Sequence, residues 1–149
     1  MNLSPNFTLG EMIRSGTALR RGIDNTPPPA VIKNLERLCR NVLEPVREHY
    51  GAPVIVTSGY RSPALNSAIG GSGTSQHSQG EAADFTVRVV RNIEVCRWIA
   101  ANLEYDQLIY EFGEEGWVHC SWSKSRLRNM ELTARRVSGK TVYVAGILA

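Results

Sequence analysis

The stretch SQHSQGEAADFTV, residues 75–87, joins a loop of small polar residues to a short apolar run. His77 stands in the glycine-flanked part, and Asp84 interrupts the apolar part seven residues later. A buried carboxylate is costly unless it is paired or bound to a cation. The stretch therefore predicts a loop that enters a β-strand, with two side chains suited to hold a metal ion.

The region before this stretch predicts a long amphipathic helix. In residues 31–46 apolar side chains recur every three or four positions, which describes one buried stripe. Prolines at 27–29 suit its first turn and Gly51 suits its end, whereas Pro45 predicts a kink near the last turns. NIEVCRWIAANL, residues 92–103, predicts a second helix of the same kind.

Strand-like segments account for most of the remaining chain. They are PVIVTSGY (53–60), EAADFTV (81–87), DQLIYEF (106–112), WVHCSW (117–122), ELTARRV (131–137) and KTVYVAGI (140–147). The short turn GEEG joins DQLIYEF to WVHCSW, and Ser138-Gly139 joins ELTARRV to KTVYVAGI, which favours two hairpins. The order predicts an α+β fold with helices packed on a mostly antiparallel sheet, and one domain spanning residues 1–149.

Composition excludes several classes of protein. Hydrophobic residues make up 42% and charged residues 21%, as in a globular chain. The net charge of +3 comes from scattered basic residues, so we expect no nucleic-acid partner. No apolar run reaches the ~20 residues of a membrane span, and no signal peptide is evident, so we expect cytoplasmic synthesis without membrane insertion. The three cysteines form no CxxC pair, which favours buried thiols in a reducing compartment.

A third candidate ligand lies in WVHCSW. Strand alternation places His119 on the face opposite Cys120, which we expect in the core. His77, Asp84 and His119 would supply two imidazoles and one carboxylate, leaving a fourth position of a zinc ion for water, as in catalytic zinc sites. An iron(II) facial triad uses the same ligand types, and a lone strand histidine is often only half-buried. His49, at a helix end, is expected to have a surface role.

Three motifs in order give the chain a family resemblance. SQHSQGEAAD (75–84), SGYRS (58–62) and WVH (117–119) resemble the motifs of the M15 zinc peptidases, which include D-Ala-D-Ala carboxypeptidases and related peptidoglycan peptidases. The resemblance runs from Leu3 to about Trp122, and the chain is similar to the short phage and prophage branch, within subfamily A. It implies a hedgehog/D-Ala-D-Ala-peptidase-like fold, Zn²⁺ bound by His77, Asp84 and His119, and a catalytic Arg61 that faces the substrate carbonyl or carboxylate.

The resemblance leaves the general base open. Family members place an acidic residue or histidine three positions before the last ligand, and Gly116 stands there in this chain. Glu111 interrupts an apolar strand paired with WVHCSW, and we predict it as the catalytic base, with Glu114 and Glu115 of the turn as competitors. Four further residues are candidates for supporting roles around the site: Ser75, Tyr60, Gln107 and Trp117.

The resemblance implies a function in cell-wall cleavage. We expect a zinc metallopeptidase that hydrolyses peptidoglycan stem peptides or cross-links, as a D-Ala-D-Ala carboxypeptidase or an L-Ala-D-Glu-type endopeptidase. Such a protein would be a phage or prophage lysis enzyme that acts on the wall after release, or a virion-associated one. The alternative is a non-catalytic metal-containing binding module or tail component. The only expected partner is the peptidoglycan peptide; the oligomeric state is open, with a monomer as the simplest expectation.

Overall fold

The computed structural model describes residues 1–149. The helices are α1 (Leu9–Ile13), α2 (Gly16–Arg21), α3 (Pro29–Leu38), α4 (Glu44–Tyr50), α5 (Pro63–Ala68) and α6 (Asn92–Asn102). The strands are β1 (Asn2–Ser4), β2 (Phe7–Thr8), β3 (Val54–Ser58), β4 (Ala82–Val87), β5 (Gln107–Glu111), β6 (Trp117–Ser121), β7 (Met130–Val137) and β8 (Lys140–Ala145). None of these helices has both the length and the apolar character that a bilayer crossing requires.

The predicted long helix forms, and its irregularity lies just before Pro45. A π-helical segment, Cys39–Leu43, joins α3 to α4, and the amide of Glu44 donates to the carbonyl of Cys39. A proline in a regular α-helix clashes with the carbonyl four residues earlier and leaves it unpaired. The π segment ends two residues before Pro45, and the helix continues through Pro45 to Gly51, which has the left-handed φ of 58°.

The main sheet has six strands in the order β3-β4-β6-β5-β7-β8. All neighbouring pairs are antiparallel except β5 and β7, which run parallel. The α+β fold with a mostly antiparallel sheet is therefore confirmed. The turn between β7 and β8 has positive φ at both Ser138 and Gly139, the geometry of a tight hairpin turn. The expected extent of one domain over residues 1–149 stays a prediction.

Helices cover one face of the sheet and form the core with it. Alternate residues of β4, such as Phe85, and of β6, such as Val118, pack against buried side chains of α3 and α6, including Leu35 and Ile99. Cys120 belongs to this core, as strand alternation predicts. Asp84 and His119, on the intervening positions, therefore point to the opposite face of the sheet.

The three cysteines have structural environments. All three are buried and none forms a disulfide. Burial is the main cause that raises the pKa of Cys39 and of Cys96 to about 12. These thiols stay protonated at neutral pH and behave as small apolar side chains, as the sequence predicts for buried thiols.

Candidate active site

Hydrogen bonds to the backbone of His77 hold the loop that carries this residue. Residues Gln76–Gln79 form one 3₁₀ turn, which Ser75 caps by accepting from the amide of His77 at 3.2 Å. Gly80 ends the turn with a left-handed φ of 72°. The amide of Arg61 donates to the carbonyl of His77 at 3.1 Å, which ties the SGYRS segment to this loop.

The orientation of the His77 ring is set by a backbone carbonyl. His77 Nδ1 lies 2.7 Å from the carbonyl oxygen of Gly59. Because a carbonyl only accepts hydrogen bonds, Nδ1 carries the proton and Nε2 presents its lone pair to the sheet. Burial is the main cause that lowers the pKa of His77, so the ring is held in the neutral form that binds metals.

Asp84 and His119 face each other directly across β4 and β6. His119 Nδ1 lies 2.9 Å from Asp84 Oδ1, and His77 Nε2 lies 3.5 Å from the same oxygen. Burial acts to raise the pKa of Asp84, but the hydrogen bond from His119, together with the neighbouring His77, outweighs it and holds that pKa below its usual range. We call these three residues the triad.

The triad has the geometry of a metal site. One nitrogen or oxygen from each residue lies within 4.8 Å of the other two, and the two imidazole rings are 5.2 Å apart, centroid to centroid. Two imidazoles and a carboxylate are donors that zinc prefers, and three protein ligands leave a coordination position open. The residues present therefore fit a catalytic zinc ion, whose binding would displace the proton that His119 shares with Asp84.

Glu111 lies beside the triad on the same face of the sheet. It pairs with Trp117 across β5 and β6, two positions from His119, so its side chain points the same way as that histidine. Glu111 Oε1 is 3.7 Å from His119 Nδ1, and the Glu111 side chain is only 14% exposed. Burial raises the pKa of Glu111, and His119 partly offsets this. A carboxyl group with a raised pKa next to a metal site is suited to exchange protons.

A single open cavity of about 770 Å³ brings these groups together with Arg61. The triad, Glu111 and Arg61 all line it. Arg61 Nε is buried without a hydrogen-bond partner, and burial lowers the pKa of the guanidinium while Asp84 and Glu111 act to raise it. Three residues that could hold a metal ion, a buried carboxylate and an arginine donor without a partner surround one cavity, which is the set of parts that a hydrolytic site requires.

Comparison with known proteins identifies the family. The model of the family described as Peptidase M15 matches residues 5–121, more than three quarters of the chain. The chain belongs to the M15 peptidase family. No curated protein sequence matches it. The matched residues include the triad, Arg61 and Glu111, and the family assignment makes the protein a metallopeptidase.

The two competitors for the base of this M15 peptidase lie elsewhere. Glu114 accepts from the amides of Asn92 and Ile93 at 2.6 and 3.0 Å and from the hydroxyl of Tyr110 at 2.5 Å, so it caps the start of α6. Glu115 is exposed and does not line the cavity. The hairpin turn therefore uses its acidic residues for structure and solvation.

Gly116, where other M15 peptidases carry an acidic residue or histidine, has no room for a side chain. A Cβ added there would lie 1.8 Å from the carbonyl oxygen of Glu111. The backbone approaches so closely because the hairpin folds over its own 3₁₀ turn, Gly113–Glu115. The turn therefore excludes a side chain at position 116, and the carboxylate beside the triad is that of Glu111 on the neighbouring strand.

The other sequence candidates divide between cavity and core. Ser75, Gln107 and Trp117 line the cavity of the M15 site. Tyr60 is 4% exposed, belongs to the hydrophobic core and does not line this cavity. His49 stacks on Trp98 with ring centroids 4.4 Å apart and lies outside the triad.

Sequence reasoning missed one polar cluster of the same cavity. Gln76, Arg126 and Arg128 line it, and all three contact the buried Asp106. Asp106 opens the apolar run DQLIYEF, so it carries the same signal that singled out Asp84, a carboxylate next to a buried strand. The alternating arginines of SRLRN, residues 125–129, were a second signal.

Proposed function

We propose that this M15 peptidase uses zinc to hydrolyse peptide bonds in the stem peptides or cross-links of bacterial peptidoglycan. The observation that carries the proposal is the convergence of the triad, Glu111 and Arg61 on one open cavity. Iron(II) facial triads usually space their first two ligands as His-x-Asp or His-x-Glu, whereas His77 and Asp84 are seven residues apart. The ligand spacing therefore favours zinc.

The chain's own residues divide the work of hydrolysis. When bound, zinc supplies Lewis acidity, which polarises a carbonyl and acidifies water. Glu111 takes the proton from the attacking water as the oxygen bonds to the scissile carbonyl carbon, and it returns that proton to the leaving amine as the C–N bond breaks. Arg61 donates hydrogen bonds to the carbonyl oxygen as negative charge develops there.

Three features support peptidoglycan as the substrate. The motifs of this chain resemble those of the short phage and prophage branch of the family. The cavity volume of about 770 Å³ is suited to a short peptide, and its lining is mostly polar or charged. The net charge of +3 favours residence on an anionic wall. We accordingly propose a lysis or virion-associated enzyme of subfamily A, monomeric and without nucleic-acid partners, that acts on the wall after release.

Mass spectrometry of peptidoglycan fragments tests this proposal. Purified muropeptides are incubated with the zinc-loaded protein and with the Glu111→Gln variant, which keeps the size of the side chain but cannot take a proton. We expect new fragments with the wild type at one defined bond, which also distinguishes carboxypeptidase from endopeptidase cleavage. The variant should cleave about 10²–10⁴-fold more slowly.

The Gly116 departure from the family pattern favours a second candidate, a metal-containing binding module without catalysis. The two candidates differ in the same experiment. A protein that holds zinc, binds muropeptides and yields no fragments, with no change on Glu111→Gln, would be a binding module or a tail component. The proximity of Glu111 to His119, at 3.7 Å, argues for the enzyme.

A further inference from the structure

Asp106 is a charged residue with no exposed surface, positioned just before β5. Its Oδ1 accepts from the amide and Nε of Arg128 at 3.2 and 2.7 Å. Its Oδ2 accepts from Arg128 Nη2 and from Gln76 Nε2, each at 2.9 Å. The carboxylate is therefore saturated by partners on two separate loops, one of which carries His77.

Arg126 reaches the same carboxylate by one atom only. Its Nε lies 3.3 Å from Asp106 Oδ2, and its side chain is 53% exposed. The terminal NH₂ groups of Arg126 make no hydrogen bond within the protein, and no other carboxylate pairs with this arginine. A guanidinium whose inner nitrogen is anchored presents the two outer nitrogens as a fork, the geometry that receives a carboxylate.

The local charge is unbalanced in favour of an anion. Two guanidiniums share one buried carboxylate, which leaves one positive charge at the surface of this cluster. Arg126, Arg128 and Gln76 line the same cavity as the triad and Arg61. Because Gln76 precedes His77 directly, the cluster adjoins the metal site along the chain as well as in space.

We infer that Arg126, held by Asp106 and flanked by Arg128, is a binding site for a carboxylate of the substrate. This inference rests on the proposed function, since it assumes a peptide that spans the cavity. A stem pentapeptide with L-lysine at its third position carries two free carboxylates that suit the site, the C-terminal one and the one of its D-glutamate residue. Both arginines lie beyond residues 5–121 that the family model matches, so the subsite belongs to this chain's own C-terminal segment.

The test compares three forms of one stem pentapeptide. They are the free acid, the form with a carboxamide on the D-glutamate and the form with a carboxamide at the C-terminus. Binding is measured by calorimetry on the zinc-loaded Glu111→Gln variant, and kcat/KM on the active protein. We expect one of the two amides to bind about 10-fold to 100-fold more weakly than the acid, as loss of a charged hydrogen bond predicts. The amide affected identifies which carboxylate is held.

A second variant ties this preference to Arg126. Arg126→Gln should weaken binding of the free acid by a similar factor and bring the ratio of acid to amide affinity close to one. Arg126→Lys keeps the charge without the fork and should retain part of the preference. Arg97→Gln, which removes an exposed arginine of α6 outside the cavity, is the matched control. It should leave unchanged both the affinity for the free acid and the ratio of acid to amide affinity.

The possible results separate this inference from the proposed function. Equal binding and cleavage of all three peptides would overturn the carboxylate subsite and leave the peptidase intact. A wild-type preference that persists in Arg126→Gln would likewise overturn it. Zinc-loaded protein that neither binds nor cleaves any of the peptides would instead remove the proposed function, and the inference with it.

Discussion

Replacement of Asp106 by asparagine tests how the fold supports the cavity wall. Asparagine keeps one carbonyl oxygen for the two bonds now made to Oδ1, but its amide group then faces Arg128 Nη2 and Gln76 Nε2, which are themselves donors. Two hydrogen bonds and one charge are lost. With a discount for Arg128, whose side chain is 37% exposed, we expect a loss of about 2–3 kcal/mol in the free energy of unfolding.

Urea denaturation followed by circular dichroism measures this loss, which corresponds to a fall of about 4–12 °C in Tm for a chain of this size. Asp24→Asn is the control, because that exposed carboxylate is bonded only to Thr26, and its replacement should leave the free energy of unfolding nearly unchanged. Equal stability of Asp106→Asn and the wild type would refute the reasoning.

The pH dependence of the free energy of unfolding, compared between the wild type and Asp106→Asn, gives a further check. Burial acts to raise the pKa of Asp106, but the hydrogen bonds from Arg128 and Gln76 outweigh it and lower the net pKa. A carboxylate whose folded pKa lies below its unfolded value of about 3.9 stabilises the fold above that pH. The stability gap between wild type and variant should therefore narrow as the pH falls below about 4.

Two other substitutions probe the site directly. Arg61→Ala should retain zinc but lower kcat/KM by about 10²–10³-fold, because the developing oxyanion loses a hydrogen-bond donor. The control Arg97→Ala should retain both zinc and activity. Full activity of Arg61→Ala on muropeptides would remove this arginine from the mechanism. Gly116→Ala should destabilise the protein by about 1–3 kcal/mol and slow cleavage, since its Cβ would push against the Glu111 carbonyl. The control is Gly73→Ala, because a Cβ added at that position meets nothing within 4 Å. A Gly116→Ala variant as stable and active as this control would show that the turn tolerates a side chain.

Much of the fold follows from local patterns in the sequence. Strand alternation in WVHCSW places His119 opposite Cys120, and the structure has Cys120 in the core and His119 on the face of Asp84. The apolar period of residues 31–46 predicts the long helix correctly. The π segment before Pro45 could not be predicted, because the way a helix accommodates a proline depends on how its neighbours pack.

Contacts between distant segments account for the rest. β5 pairs in parallel with β7, although the local sequence predicts these two strands as members of separate hairpins. No local sequence pattern indicates that the two hairpins pair with each other. From the sequence alone, Glu114 is predicted to be a solvated charge in a turn. Its role as the cap of α6 depends on the folded structure, because the amide of Asn92 that it accepts from lies 22 residues earlier in the chain. Asp106, Gln76 and the two arginines meet only once three segments are folded together.

Zinc content of purified protein tests the central claim most directly. After dialysis against metal-free buffer, inductively coupled plasma mass spectrometry should find about one zinc per chain in the wild type and in His49→Ala, whose ring stacks on Trp98 away from the triad. His77→Ala should lose most of that zinc, because one of three protein ligands is gone. Stoichiometric zinc retained by His77→Ala would contradict the assignment of the triad as the metal site.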